Sequence, residues 1–176
     1  MTQSLDGYVG LGDWSVPSEE LHRFHQELVE KLGMHLLGRR LYEVMLFWET
    51  PEAEAPSQAD YELEFARVWR ALPKVVYSRT LSSVEGSNTR LSERDPVEEV
   101  RELKQGDGAD IGVGGAELAS ALTAAGLIDE YGVFVAPVVV GDSEPRFFAG
   151  NTPTDLELVE TRTFDTGVVY LRYQRA

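Results

Sequence analysis

The sequence predicts an α/β fold: a mixed, mostly parallel central sheet with an antiparallel hairpin at its end. Three observations carry this reading. Short apolar runs alternate with stretches of helical periodicity along most of the 176 residues. Residues 108–148, GADIGVGGAELASALTAAGLIDEYGVFVAPVVVGDSEPRFF, form a strand–helix–strand unit with paired glycines at the strand-to-helix turn. The chain then closes on two runs joined by Asp165-Thr166-Gly167, a hairpin signal.

The elements follow in order. A very short lead, residues 1–5, runs into Asp6-Gly7, which ends a first strand and opens a loop holding Asp13-Trp14. Ser18 caps a helix whose apolar positions are Leu21, Phe24, Leu28, Val29 and Leu32. Glu19 and Glu20 in its first turn suit the helix dipole, and Gly33 is read as its stop. Residues 34–37 make a strand closed by Gly38, and a helix runs from Arg39 to about Trp48. Residues 50–60 are acidic, contain prolines and read as an exposed loop. A helix over 61–72 buries Leu63, Phe65, Ala66 and Trp69 and is ended by Pro73. Residues 74–78 and 89–91 read as strands. Asp95 caps the next helix, Pro96 takes its first position, and Val97, Val100 and Leu103 face inward. In the closing unit, Leu118, Leu122 and Leu127 are the larger apolar residues around the helix, and Gly126 sits at its C-cap. The valine-rich run 131–140 reads as a buried strand and 141–145 as a loop; Leu156 and Leu158 begin an alternating strand over 156–164, and 168–173 completes the hairpin.

Composition narrows the function classes. With 43% apolar and 26% charged residues, the chain reads as one globular domain, 1–176. A net charge of −14 argues against a nucleic-acid partner, and a polyanionic cofactor needs local arginines to overcome that field. Cysteine is absent, which excludes disulfides, thiolate metal sites and thiol nucleophiles. His22 and His25 are three apart on one helix, but no third ligand is indicated, so no metal is expected. No apolar run approaches the ~20 residues that span a bilayer, and the N-terminus lacks a basic-then-apolar signal. The expectation is a cytoplasmic protein with no membrane partner.

The Gly114-Gly115 turn suggests an anion. Glycine lets a ligand approach the backbone closely, and the first N–H groups of a helix lack internal partners and carry its positive dipole end. Glu117 in that first turn opposes a free anion, and paired glycines also serve plain packing. Arg39 and Arg40 at another helix N-terminus are unfavourable against the dipole, a cost that a phosphate would relieve. Solvent, or pairing with nearby carboxylates, would relieve it too. In parallel sheets ligands bind beyond the carboxyl ends of the strands. Asp6, Gly38, Ser78 and Gly114 all fall at such ends, which points to one shared site.

Together with Ser4-Leu5-Asp6-Gly7-Tyr8, Gly38-Arg39-Arg40-Leu41-Tyr42-Glu43, Val75-Val76-Tyr77-Ser78-Arg79-Thr80 and Phe164-Asp165-Thr166-Gly167-Val168-Val169, the 108–148 stretch resembles the dihydrofolate reductase-like superfamily. Within it the similarity is to the reductase (RibD C-terminal) domain of the bacterial riboflavin-biosynthesis deaminase–reductase. The resemblance implies a three-layer α/β/α fold, NADPH as cofactor, a small-molecule substrate, and a homodimer through residues 131–148. It also implies a longer first strand than this chain has, so either the strand is shortened or the start site is late. By the resemblance, Gly38 belongs to the cofactor segment, and Gly114, Gly115, Ala116 and Glu117 lie along the pyrophosphate. Arg39 and Arg40 approach the phosphates, and Ser78 and Arg79 the adenosine 2′-phosphate. Leu41 departs from the hydroxyl residue of many relatives. Asp6 and Glu20 are the implied proton donors, set against an ordinary turn carboxylate and an ordinary first-turn carboxylate. Three functions stay open: a stand-alone NADPH-dependent reductase, a non-catalytic nucleotide-binding or regulatory protein on the same fold, and a structural domain with an empty groove.

Overall fold

The structure, a computed structural model, describes residues 2–9, 14, 16–51, 59–141, 146–148 and 153–176. In chain order the elements are β1 (Thr2–Ser4), α1 (Glu19–Glu30), β2 (Leu32–Gly38) and α2 (Arg39–Met45), which continues into a 3-10 turn, Leu46–Glu49. Then come α3 (Asp60–Ala71), β3 (Lys74–Tyr77), β4 (Thr89–Ser92), α4 (Pro96–Leu103), β5 (Asp110–Gly114), α5 (Ala116–Ala124), β6 (Glu130–Ala136), β7 (Leu156–Thr163) and β8 (Val169–Arg175). Asp13 and most of the expected loops over 50–60 and 141–145 lie outside the described residues. Contacts divide the chain into two units: His22–Leu118, and Met1–Leu21 together with Ala119–Ala176.

The unit His22–Leu118 is built on a parallel sheet of order β4-β3-β2-β5. Its central strands are apolar on both faces, as parallel strands must be when both sides are covered. Leu36, Leu37 and Val76 are fully buried and Val75 nearly so, and each such side chain contributes about 1.5–3 kcal/mol. Leu37 and Val76 join Tyr42, Phe65, Trp69 and Leu72 in one apolar cluster. Gly33 does not stop the preceding helix. It lies inside β2 beyond the helix end at Glu30, where an added Cβ would come 3.1 Å from the Ala109 Cβ. The last carbonyls of α3 would be orphaned at Pro73; Lys74 Nζ donates to the Trp69 and Leu72 carbonyls at 2.6 and 2.9 Å, and Asn88 Nδ2 to that of Arg70 at 2.8 Å.

Two histidines in this unit are packing residues. His22 sits among Trp48, Tyr61 and Phe65, with ring centroids 5.1 to 5.3 Å away. His35 packs edge-on against Trp69, and burial pushes its imidazole down to about 4. Among the described residues no group of three or more His, Cys, Asp or Glu side chains is placed to hold a metal ion.

The second unit carries a mixed sheet of order β1-β6-β8-β7, with β1 parallel to β6 and the rest antiparallel. Phe134 of β6 packs on Tyr170 and Phe164, with centroids 4.6 and 6.4 Å apart. Strand β6 ends at Ala136, short of the 131–140 read from the sequence, because Pro137 has no N–H for the ladder. The Val138 N–H turns back to the Ala136 carbonyl instead, at 2.8 Å. The hairpin closes as predicted: Gly167 N–H donates to Phe164 O and Phe164 N–H to Val168 O, each at 2.9 Å. In β7 a bulge between Leu158 and Glu160 breaks the expected alternation and leaves Leu158 and Val159 exposed.

Asp95 caps α4 through the Val97 and Glu98 amides, with Pro96 at the first position as the sequence predicts. This aims Glu99 inward, where it is 3% exposed. Tyr77 donates to it at 3.0 Å, and the Ser92 hydroxyl and the Arg90 guanidinium donate as well. Burial alone would raise the Glu99 carboxyl; the hydrogen bonds from Ser92, Arg90 and Tyr77 outweigh it and hold the group below its ordinary value of 4.5. Glu99→Gln should therefore cost about 1–3 kcal/mol at neutral pH, since it leaves buried donors poorly matched. The folded pKa is depressed, so this contribution is present above the ordinary carboxylate range and lost as pH falls through the folded value. Urea titrations from pH 7 to pH 3 should show the gap between wild type and Glu99→Gln closing on acidification.

Candidate functional site

In a parallel sheet every strand ends on the same edge, so β2, β3 and β5 bring Gly38, Ser78 and Gly114 to one side of the unit His22–Leu118. The register pairs Gly38 with Tyr77 and Leu37 with Gly114. At the end of β5 the chain must turn tightly into α5. Gly115 has φ +104°, and a Cβ there would meet Gly38 Cα at 3.1 Å and Gly38 N at 3.2 Å. Only glycine allows that dihedral and that backbone contact. Gly114 does something different: a Cβ on it would lie 2.1 Å from Leu41 Cδ2. Leu41 thus fills the space where a Cβ of Gly114 would lie, so this glycine has a packing role. Ala116 and Glu117 open α5, so their N–H groups have no partner within the helix.

The arginines separate into two kinds. Arg39 is tied down: Nε donates to Glu43 Oε1 and Nη1 to Thr80 Oγ1, each at 2.7 Å. Arg40 and Arg79 are exposed and make no hydrogen bond or ion pair among the described residues. Ser78 Oγ accepts from the Thr80 and Leu81 amides at 3.2 and 3.1 Å, which shapes the loop that presents Arg79. Thr80, the anchor of Arg39, was not singled out from the sequence; a threonine two residues after a strand carries no signal until its partner is known.

Asp6 and Glu20 lie in the other unit. Asp6 accepts from the Val140 and Gly141 amides at 3.2 and 2.9 Å. The Ser4 hydroxyl, with those two amides, holds its carboxyl below 3.8. Asp6 is placed to fasten the chain after β6. Glu20 accepts from Arg162 and from the Asp165 amide, each at 3.2 Å, while Ser18 donates to Asp165 at 2.7 Å. The start of α1 is thereby pinned to the β7–β8 turn.

Beside that pin is a cleft of about 250 Å³, whose lining among the described residues comes from this unit. Thr2, Ala136, Pro137 and Val138 supply one wall, Trp14, Val16 and Leu21 a second, and Thr166 and Val168 the third. The sequence placed Trp14 in the loop after Asp6-Gly7 and Leu21 on the apolar side of α1, but it did not join them to the other lining residues, which are apolar or turn types spread over distant segments.

The comparisons with known proteins bear on this arrangement. Residues 1–170 match the RibD C-terminal domain. The chain belongs to the RibD C-terminal domain family. It is 30% identical over 177 residues to the uncharacterized protein YyaP of Bacillus subtilis (strain 168), covering 97% of this chain and 89% of that one. A candidate riboflavin biosynthesis protein of Shewanella sp. PV-4 superposes with TM-score 0.76 at 19% identity, over 100% of this chain and 96% of the other. The bifunctional deaminase and 5-amino-6-(5-phosphoribosylamino)uracil reductase of Thermotoga maritima gives 0.64 at 15% identity, with 99% of this chain matching 55% of that longer one. These neighbours share the mixed α/β, dihydrofolate reductase-like fold that the sequence predicts: a parallel sheet with antiparallel strands. Among the described residues no helix is long and apolar enough to cross a membrane.

Because Gly115 combines a positive φ with a backbone contact, Gly115→Ala should lower stability by roughly 1–3 kcal/mol. Gly108→Ala, where a Cβ would meet nothing within 4 Å, should stay within about 0.5 kcal/mol. Urea midpoints of the two variants check the contrast. They also show why an acidic side chain at Gly115 would confound a binding test with a folding defect.

Proposed function

We propose that this protein is a reductase that uses NADPH to reduce a small heterocyclic or ribosyl substrate. Membership of the RibD C-terminal family and the pyrimidine-reductase-like neighbours support oxidoreductase chemistry. One observation carries the cofactor reading. In a chain of net charge −14, Arg40 and Arg79 have no partner among the described residues and stand beside the carboxyl ends of β2 and β3, on the sheet edge that also carries the bare Gly115 turn. An unpaired guanidinium suits a phosphate dianion, which it grips with two parallel hydrogen bonds.

The residues at this sheet edge fit the group. Ala116 and Glu117 would offer their backbone N–H groups to the pyrophosphate. Arg40, flanked by the anchored Arg39, would meet the phosphates; Arg79, on the loop shaped by Ser78, would meet the 2′-phosphate. NADPH supplies the hydride when bound. The chain itself must orient the acceptor and manage a proton, and in this reading Glu20, whose neighbours Leu21 and Thr166's turn border the cleft, is favoured over Asp6 for that task. The reading extends to a homodimer formed through residues 131–148 and to a cytoplasmic setting.

A non-catalytic nucleotide-binding role on the same fold has one observation in its favour: Leu41, a departure from the hydroxyl residue that the resemblance implies, packs on Gly114. NADPH binding without oxidation across a panel of acceptors would select it.

Titration calorimetry with NADPH and NADH in parallel tests the proposal. Loss of a charge-assisted hydrogen bond costs about 1.5–3 kcal/mol, so Arg79→Ala should weaken NADPH roughly 10- to 100-fold while leaving NADH nearly unchanged. Arg40→Ala should weaken both alike. Equal losses for the two cofactors in Arg79→Ala would remove that residue from the 2′-phosphate, and no NADPH binding by wild type would end the reductase reading.

A further inference from the structure

The cleft is small, and no charged side chain lines it among the described residues. Its volume, about 250 Å³, is below the ~300–1,000 Å³ of sites for drug-sized ligands, so it has room for a ring system without a long appended chain. Trp14, Val138 and Val168 give it apolar faces, and the Thr2 and Thr166 hydroxyls are neutral groups that both donate and accept.

Among the described residues of the same unit, every side-chain cation already has a partner. Arg146 lies 4.6 Å over the Tyr8 ring and donates to its hydroxyl at 2.7 Å. Arg162 pairs with Glu20 at 3.2 Å, and Arg172 with Glu130 and Glu160 at 2.6 and 3.1 Å. Arg175 donates to the Gly126 carbonyl at 3.1 Å. This unit contains no lysine, and the stretches outside the described residues contain no Lys, Arg or His. A phosphate entering the cleft would lose hydration without meeting an unpaired side-chain cation among the described residues of this unit, inside an acidic protein.

We propose that the cleft binds an uncharged, unphosphorylated planar compound of one or two fused rings, gripped by its apolar walls and by the Thr2 and Thr166 hydroxyls. That such a compound is the hydride acceptor rests on the reductase reading; its binding does not.

The indole N–H resonance of Trp14, assigned with Trp14→Phe, reports on the cleft locally. Wild-type protein is titrated with quinazolin-4-one, uridine and uridine 5′-monophosphate, and NADPH binding and oxidation are measured separately. Quinazolin-4-one should shift the Trp14 resonance saturably, and uridine should bind there at least tenfold tighter than its monophosphate. Val16→Asp, at an exposed rim position, should weaken quinazolin-4-one at least tenfold; Thr166→Arg, on an exposed turn, should narrow or reverse the gap between uridine and its monophosphate. Thermal melts confirm that both variants remain folded. The proposal is overturned if the monophosphate binds as well as uridine in wild type, if millimolar quinazolin-4-one leaves Trp14 unmoved, or if Val16→Asp does not matter. Ring binding without NADPH binding would uphold the cleft and defeat the reductase reading. NADPH oxidation that requires a phosphorylated acceptor would do the reverse.

Discussion

The contact between Gly115 and the Gly38 backbone is the constraint on which the parallel sheet edge depends. Strands β2 and β5 end side by side, and each passes directly into a helix. With a Cβ of Gly115 only 3.1 Å from Gly38 Cα, any side chain there would force the two strand ends apart. The turn is kept bare for packing reasons, and a bare turn is also what an approaching anion needs. One geometric requirement at Gly115 thus serves the packing and leaves the turn open to the proposed ligand. At Gly114 the two separate, because Leu41 has taken the space.

Local hydrogen bonding made much of the fold legible. Ser18, the Asp95-Pro96 pair and the Asp165-Thr166-Gly167 turn act on amides within a few residues, so their effect is written in adjacent letters. At Gly126, with φ +69°, the Gly126 and Leu127 amides fold back to Thr123 and Leu122 and close α5 as a glycine C-cap should. Pairing across the chain was less visible. Gly33 reads as a helix stop on its own, but its place in β2 is set by neighbouring strands far away in sequence. The run 131–140 looks continuous because valine dominates it; a single missing N–H at Pro137 decides where the ladder ends.

The candidate site divides along the same line. Arginines near strand ends could be counted from the sequence, but not which of them were committed: Glu43 and Thr80 claim Arg39, while Arg40 and Arg79 have no partner among the described residues. The resemblance implied Asp6 as a proton donor, but its partners, the Val140 and Gly141 amides, are more than a hundred residues away and could not be read beside it. The cleft was hidden for a third reason. It is defined by what its lining lacks, and an absence of charge has no motif.

Strand β7 forms the outer edge of its sheet, with β8 as its one partner. The extra residue at its bulge shifts the exposed amides and carbonyls by one position midway, and Glu157, Glu160 and Arg162 punctuate the rest. An incoming strand would find its hydrogen-bonding register interrupted and charges in its path. Leu158 and Val159 are exposed on this edge, yet they sit at the interruption itself. The edge is thus a poor template for strand-by-strand growth, and the irregularity that spoils the alternation protects the protein against self-association into fibres at high concentration.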